Sequence, residues 1–197
     1  MEITKSKSVI LVDADYVDGV AFNLTVNFER MLERRIPKAD LARWLVCVAL
    51  DGRMPEGDNE VQVVFIHDKQ SDGMRNFMPG KFDGEIHGQA FRDDRMGEFV
   101  LSAYAVEDMV GKDDFFADAL QTLCAQQGVQ RVAVVPNAED AAIYNKVEKV
   151  LRQVDDEMVR VTLLTMQPTA GCPCWQEQLG YSLMAALGIR SEEIKPK

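Results

Sequence analysis

Five short apolar runs, at 9–13, 61–66, 99–104, 131–135 and 158–165, constrain this chain more than any other feature. The first, Val9-Ile10-Leu11-Val12, does not alternate with polar residues. A strand that reads apolar on both faces is buried on both faces, as in parallel sheets covered by helices. Between the runs lie segments with helical periodicity. At 21–35, Phe22, Leu24, Val26, Phe28, Met31 and Leu32 give a broad apolar stripe that Pro37 stops. At 39–50, ADLARWLVCVAL opens on Asp40 as a cap and ends near Asp51-Gly52. Further helices are predicted at 113–127, closed by Gly128, at 141–154, and at 176–187. Strands alternating with helices predict a three-layer α/β/α fold with a mainly parallel five-stranded sheet.

The bulk numbers fit that frame. A chain of 197 residues with 47% hydrophobic content can bury one α/β core. The expected organisation is an α/β domain over 1–168 and a helical extension of the same domain over 169–197. No apolar stretch approaches the roughly 20 residues of a membrane helix. The opening MEITKSKSVILVD breaks too soon on acids for a secretory signal. Cys47, Cys124, Cys172 and Cys174 follow no disulfide framework, so a reduced cytoplasmic setting is expected. With 32 acids against 22 bases the formal charge is −10, which disfavours nonspecific binding of nucleic acid. The basic residues Arg30, Arg34, Arg35, Lys38 and Arg43 read as a solvated flank.

One segment resists this reading. Residues 69–97 are rich in Gly, Asp and Arg with scattered Met and Phe, and are expected to form a long irregular insertion of the kind used as a lid or interaction loop. Its methionines, with Met54, are read chiefly as core fillers.

Acids gather at predicted strand ends: Asp13 and Asp15 after the first, and Glu139 and Asp140 after the fourth. Asp114 and Asp118 share a helical face. In an open parallel sheet, ligands collect at carboxyl edges. If the first and fourth strands are neighbours, these carboxylates converge on a site for Mg²⁺ or Mn²⁺. The competing reading is that each acid caps the helix that follows it. No Gly-rich phosphate loop follows any strand. His67 and His87 suggest no catalytic triad, and Cys172-Pro173-Cys174 reads as a packed turn before Trp175, lacking a second ligand pair for zinc.

The stretch SVILVDADYV, residues 8–17, resembles the opening of NYN domains, PIN-like ribonucleases that begin with an apolar strand running into Asp-x-Asp-Asn. The order of later elements follows the same plan to about residue 165. The resemblance implies a PIN/NYN-like fold and metal-dependent cleavage of RNA, with Asp13 as leading metal ligand, Asp15 as second acid, and Asp118 on the mid-chain acidic helix. At the fourth strand, Val135-Pro136-Asn137-Ala138-Glu139-Asp140 departs from the family's acidic turn: Asn137 stands at the first acid and Glu139 at the second. Tyr16 stands where Asn is usual. Two readings follow. In one, the chain is a ribonuclease with Mg²⁺ or Mn²⁺ on Asp13, Asp118 and Glu139, supported by Asp15. In the other it is a degenerate NYN-like module contacting protein partners, or further copies of itself, through 69–97 or the last helix. A third, weaker resemblance is to haloacid-dehalogenase-like phosphatases, which implies Asp13 as nucleophile and Asp15 as acid–base. Ser102, Lys112, Glu139 and Asp140 would then fill the remaining roles.

Overall fold

The computed structural model describes residues 6–107 and 111–194. The first five residues of the opening segment, and the last three of the chain, lie outside them. Nine strands and six helices follow in order: β1 (Ser8–Asp13), α1 (Ala14–Leu32), β2 (Ala39–Asp40), α2 (Leu41–Asp51), β3 (Glu60–Asp68), β4 (Phe77–Met78), β5 (Ala90–Asp93), β6 (Gly97–Val106), α3 (Lys112–Ala125), β7 (Arg131–Val135), α4 (Ala141–Leu151), β8 (Arg160–Thr165), β9 (Trp175–Gln178), α5 (Leu179–Ala186) and α6 (Ser191–Ile194).

The main sheet has seven strands in the order β5-β6-β3-β1-β7-β8-β9, all parallel except the β5–β6 pair. Five strands were expected from the apolar runs; the two extra ones are the edge strands. β5 and β9 are only four residues each, with two positions exposed and two half-buried, so neither carries the buried apolar run that marks a central strand. The predicted helix at 176–187 accordingly starts later, at Leu179, behind β9.

Alternate residues of each strand feed two cores. Ile10, Val12, Val63, Phe65, Ala133 and Val135 pack with α1, α2 and α5. Val9, Leu11, Val64, Ile66, Val132 and Val134 pack with α3 and α4. Trp44 and Phe77, both fully buried, meet with ring centroids 5.5 Å apart. The C-terminal residues Leu179, Leu183 and Leu187 belong to the first core.

Residues 69–97 combine turns with short paired segments. Met74, Phe77, Phe82, Ile86 and Met96 are buried, and the segment folds into β4 (paired with β2), a wide turn at Phe82–Ile86, and β5. Asp18 on α1 holds it by accepting from the backbone N–H and the side-chain amide of Asn76, at 2.7 and 3.0 Å. Gly97 turns β5 into β6 at φ +91°, with its α-carbon so close to the Asn59 backbone that a Cβ would collide.

Topology explains where a site can form. After β6 the chain returns through α3 to β7, on the other side of β1. The order of strands reverses between β1 and β7, and such a point leaves a crevice at the carboxyl edge. β1 and β7 are indeed neighbours, with Val12 beside Val135.

Candidate functional site

Asp13 closes β1 and caps α1, its Oδ1 accepting from Tyr16 N–H at 3.1 Å. The helix therefore begins at Ala14, seven residues before the apolar stripe suggests. Capping is also the role of Asp40 on α2 and of Asp140 on α4, where the carboxylate accepts from Ala142 and Ile143 N–H. For Asp13 and Asp140 the cap is real, but Asp13 has a second partner.

That partner is Lys112, the first residue of α3. Its Nζ lies 3.0 Å from Asp13 Oδ1, 3.0 Å from Asp15 Oδ2 and 3.4 Å from Asp68 Oδ2. A lysine at a helix N-terminus is set against the helix dipole and needs compensation; three carboxylates, from the end of β1, the first turn of α1 and the end of β3, provide it. Asp15 is fixed further by the Asp68 N–H, at 2.7 Å, and by the Ser71 hydroxyl.

Burial and charge act in opposite senses on these groups. The Asp13 side chain is 1% exposed, and desolvation raises its carboxyl above the ordinary range despite the Lys112 ammonium. Burial acts the same way on Asp15, but the hydrogen bonds from Ser71 and Asp68 N–H, with Lys112, overcome it and hold Asp15 below the ordinary value. Burial alone would lower Lys112; Asp13 and Asp15 reverse this and hold it firmly protonated. The Tyr16 hydroxyl beside the cluster is buried without a regular hydrogen bond, and desolvation, then the nearby Glu139 and Asp13 charges, raise its pKa.

The expected site residues are thus only partly brought together. Asp13 and Asp15 share Lys112. Glu139 is exposed and borders the cluster through Tyr16. Asp118 is exposed further along α3, with Gln121 and Thr122 in a surface depression, and its carbonyl accepts from Thr122 Oγ1. Among the described residues, no group of three or more His, Cys, Asp or Glu is arranged to hold a metal ion. Asp118 and Glu139, expected with Asp13 to hold Mg²⁺ or Mn²⁺, are both exposed, and the ammonium of Lys112 lies between the Asp13 and Asp15 carboxylates.

Of the residues implied by the phosphatase resemblance, Lys112 does meet Asp13 and Asp15. Ser102 lies inside β6 opposite Val64, away from the strand tips. His67 is buried, stacked on Phe82 at 3.8 Å, with Nδ1 donating to the Asp68 carbonyl at 2.9 Å; His87 Nδ1 accepts from Ala103 N–H at 3.1 Å. Arg34 in the basic flank is committed to Glu193, through Nε at 2.9 Å and a second nitrogen at 3.0 Å.

Asp68 and Ser71 were missed as site features, and Lys112 entered only through the phosphatase resemblance. Asp68 was visible as the polar end of the second apolar run, the same signal that singled out Asp13. Lys112 left no local signal beyond its place at a helix start.

No helix of the described residues is long and apolar enough to cross a membrane. No curated protein and no solved structure is significantly similar to the chain. A family model does match it, over residues 2–194, and the chain therefore belongs to DUF6621, a family of unknown function.

Proposed function

We propose that this protein is a NYN-like module that has exchanged metal-dependent RNA cleavage for binding a protein partner. One observation carries the reading. Lys112 reaches Asp13, Asp15 and Asp68 together. An ammonium has three donors, so three carboxylates exhaust it and leave none for a substrate phosphate. The same cation neutralises the pair that a divalent ion would otherwise bridge. The net charge of −10 supports a partner other than RNA.

The partner-facing side falls on the C-terminal elements rather than on 69–97, whose large apolar side chains turn inward except for Met78. Trp175 is 57% exposed and Tyr181 66% exposed, and aromatic side chains of this kind are enriched in interfaces.

The reading is tested by titrating the full chain with Mn²⁺ and by incubating it with single-stranded RNA, with and without Asp13→Asn. The expected result is no stoichiometric Mn²⁺ binding and equal, background cleavage by both proteins. Metal-stimulated cleavage abolished by Asp13→Asn would restore the ribonuclease. The phosphatase reading draws support from the meeting of Asp13, Asp15 and Lys112, and hydrolysis of an aryl phosphate in Mg²⁺ that is lost in Asp13→Asn would favour it instead.

A further inference from the structure

Cys172 and Cys174 flank Pro173 in the segment joining β8 to the edge strand β9. Gln176 braces this segment from within β9. Its Oε1 accepts from both the backbone N–H and the hydroxyl of Thr169 at 2.8 Å, and its Nε2 donates to the Thr169 carbonyl at 2.8 Å. The chain from 169 to 176 is thereby closed into a small loop with Gly171, at φ +75°, at its bend.

Inside that loop the two thiols point at each other, with Sγ atoms 2.9 Å apart. A covalent S–S bond is about 2.05 Å long, so bonding needs less than an ångström of further approach. Both cysteines are half-buried against the core under α3 and α4, open enough for a small molecule to reach. Cys47 and Cys124 lie on separate helices, α2 and α3, and none of the four cysteines is in a disulfide.

We propose that Cys172 and Cys174 form a dithiol–disulfide redox site that exchanges with low-molecular-weight disulfides such as oxidised glutathione. The Cys172 thiol loses its proton to water, and its sulfur attacks one sulfur of the small disulfide. That S–S bond breaks, one small thiolate leaves, and Cys172 is held as a mixed disulfide. Cys174 then gives its proton to water and attacks Cys172 Sγ, expelling the second small thiolate. The protein dithiol loses two electrons, and the small disulfide gains them as two thiols. The order follows from shielding: burial pushes the Cys174 thiol well above its ordinary value, and the neighbouring Cys172 adds to the effect. Cys174 is the slower nucleophile in bulk but sits at contact distance from its target.

Oxidation would tighten the approach to β9 directly before Trp175, on whose ring Arg53 stacks at 4.0 Å. The site thus couples thiol redox state to the exposed aromatic end of the sheet.

The test equilibrates the full chain in mixtures of reduced and oxidised glutathione, blocks remaining thiols with N-ethylmaleimide under denaturing conditions, and maps the peptides by mass. In oxidising mixtures the wild type should lose two hydrogens from the peptide containing Cys172 and Cys174 and two of its four alkylation sites. A thiol reductant should restore both. Cys174→Ser should stop at the glutathione adduct on Cys172, and Cys172→Ser should react about tenfold more slowly. The proposal is overturned if the wild type keeps all four alkylation sites in the most oxidising mixture, if its Cys172 adduct persists unresolved, or if either cysteine pairs with Cys47 or Cys124. The wild-type titration decides the matter even if a variant folds poorly.

Discussion

Two lysines bridge carboxylates near the start of α3, in opposite settings. Lys112 sits in the crevice, its side chain 18% exposed, and joins Asp13, Asp15 and Asp68. Lys146, on α4, is 37% exposed and meets the next two residues of α3, Asp113 and Asp114, each at 2.5 Å. By distance alone the Lys146 pairs look stronger. Physics says otherwise. An exposed pair competes with water and loses side-chain freedom, whereas removing one partner of a buried pair leaves an uncompensated charge. Proximity is therefore the poorer guide, and burial of the partners left behind is the better one.

The strongest way to break this comparison is Lys112→Met. Loss of the ammonium leaves Asp13 buried and unpaired, and should lower unfolding free energy by about 2–4 kcal/mol in a urea titration. This is the lower part of the range for a broken buried pair, because Asp15 and Asp68 keep contact with water. An unchanged midpoint would show that the crevice tolerates bare carboxylates and would undo the contrast.

A pH series on the same variant sharpens the cause. Asp13 already titrates above its ordinary range through burial, with Lys112 pulling it down. Without Lys112 its folded value rises further, so the folded state takes up a proton that the unfolded state does not. The variant should recover stability as pH falls, and the gap to wild type should narrow. In the wild type Asp15 acts in the reverse sense: its depressed folded value gives stability that is present above the unfolded pKa and lost on acidification.

Asp51 offers a milder case, a half-buried carboxylate with no cation. Burial, and then the Glu177 charge, push it up to about 6. Between its ordinary value and about 6 the folded chain holds a proton that the unfolded chain has released, so stability falls as pH rises through that window. Asp51→Asn should flatten the slope, by about 1 kcal/mol once solvent screening is allowed for. The measurement is urea unfolding at several pH values.

The smallest effect is expected at Lys146. Lys146→Met should leave the urea midpoint within experimental scatter at physiological salt, and addition of salt should change wild type and variant alike. A clear loss would mean that the α3–α4 contact depends on its charges.

How much of this was legible in the sequence depends on the range of the interaction involved. Central strands were readable because burial on both faces writes an unbroken apolar run, as in Val9 to Val12 or Val132 to Val135. The caps at Asp40 and Asp140 were readable because donor and acceptor lie within three residues of each other. The packing of residues 69–97 was not legible because Met74, Phe77, Phe82 and Ile86 are buried singly, by neighbours remote in sequence, and follow no single period. The site was half visible for the same reason. Asp13 and Asp15 announced themselves at a strand end, but the meeting with Lys112 spans 97 positions from Asp15, and nothing local encodes it. Asp118 illustrates the converse: an acid on the expected helix whose side chain faces outward.

The brevity of β9 bears on how copies of this chain behave when crowded. It ends the sheet with four residues, and only alternate ones can direct their amide and carbonyl outward. An incoming strand would find about two such positions, too few to seed stacking, beside the carboxylate of Glu177. This edge should accordingly be spared the edge-to-edge growth that a longer, flatter margin would invite.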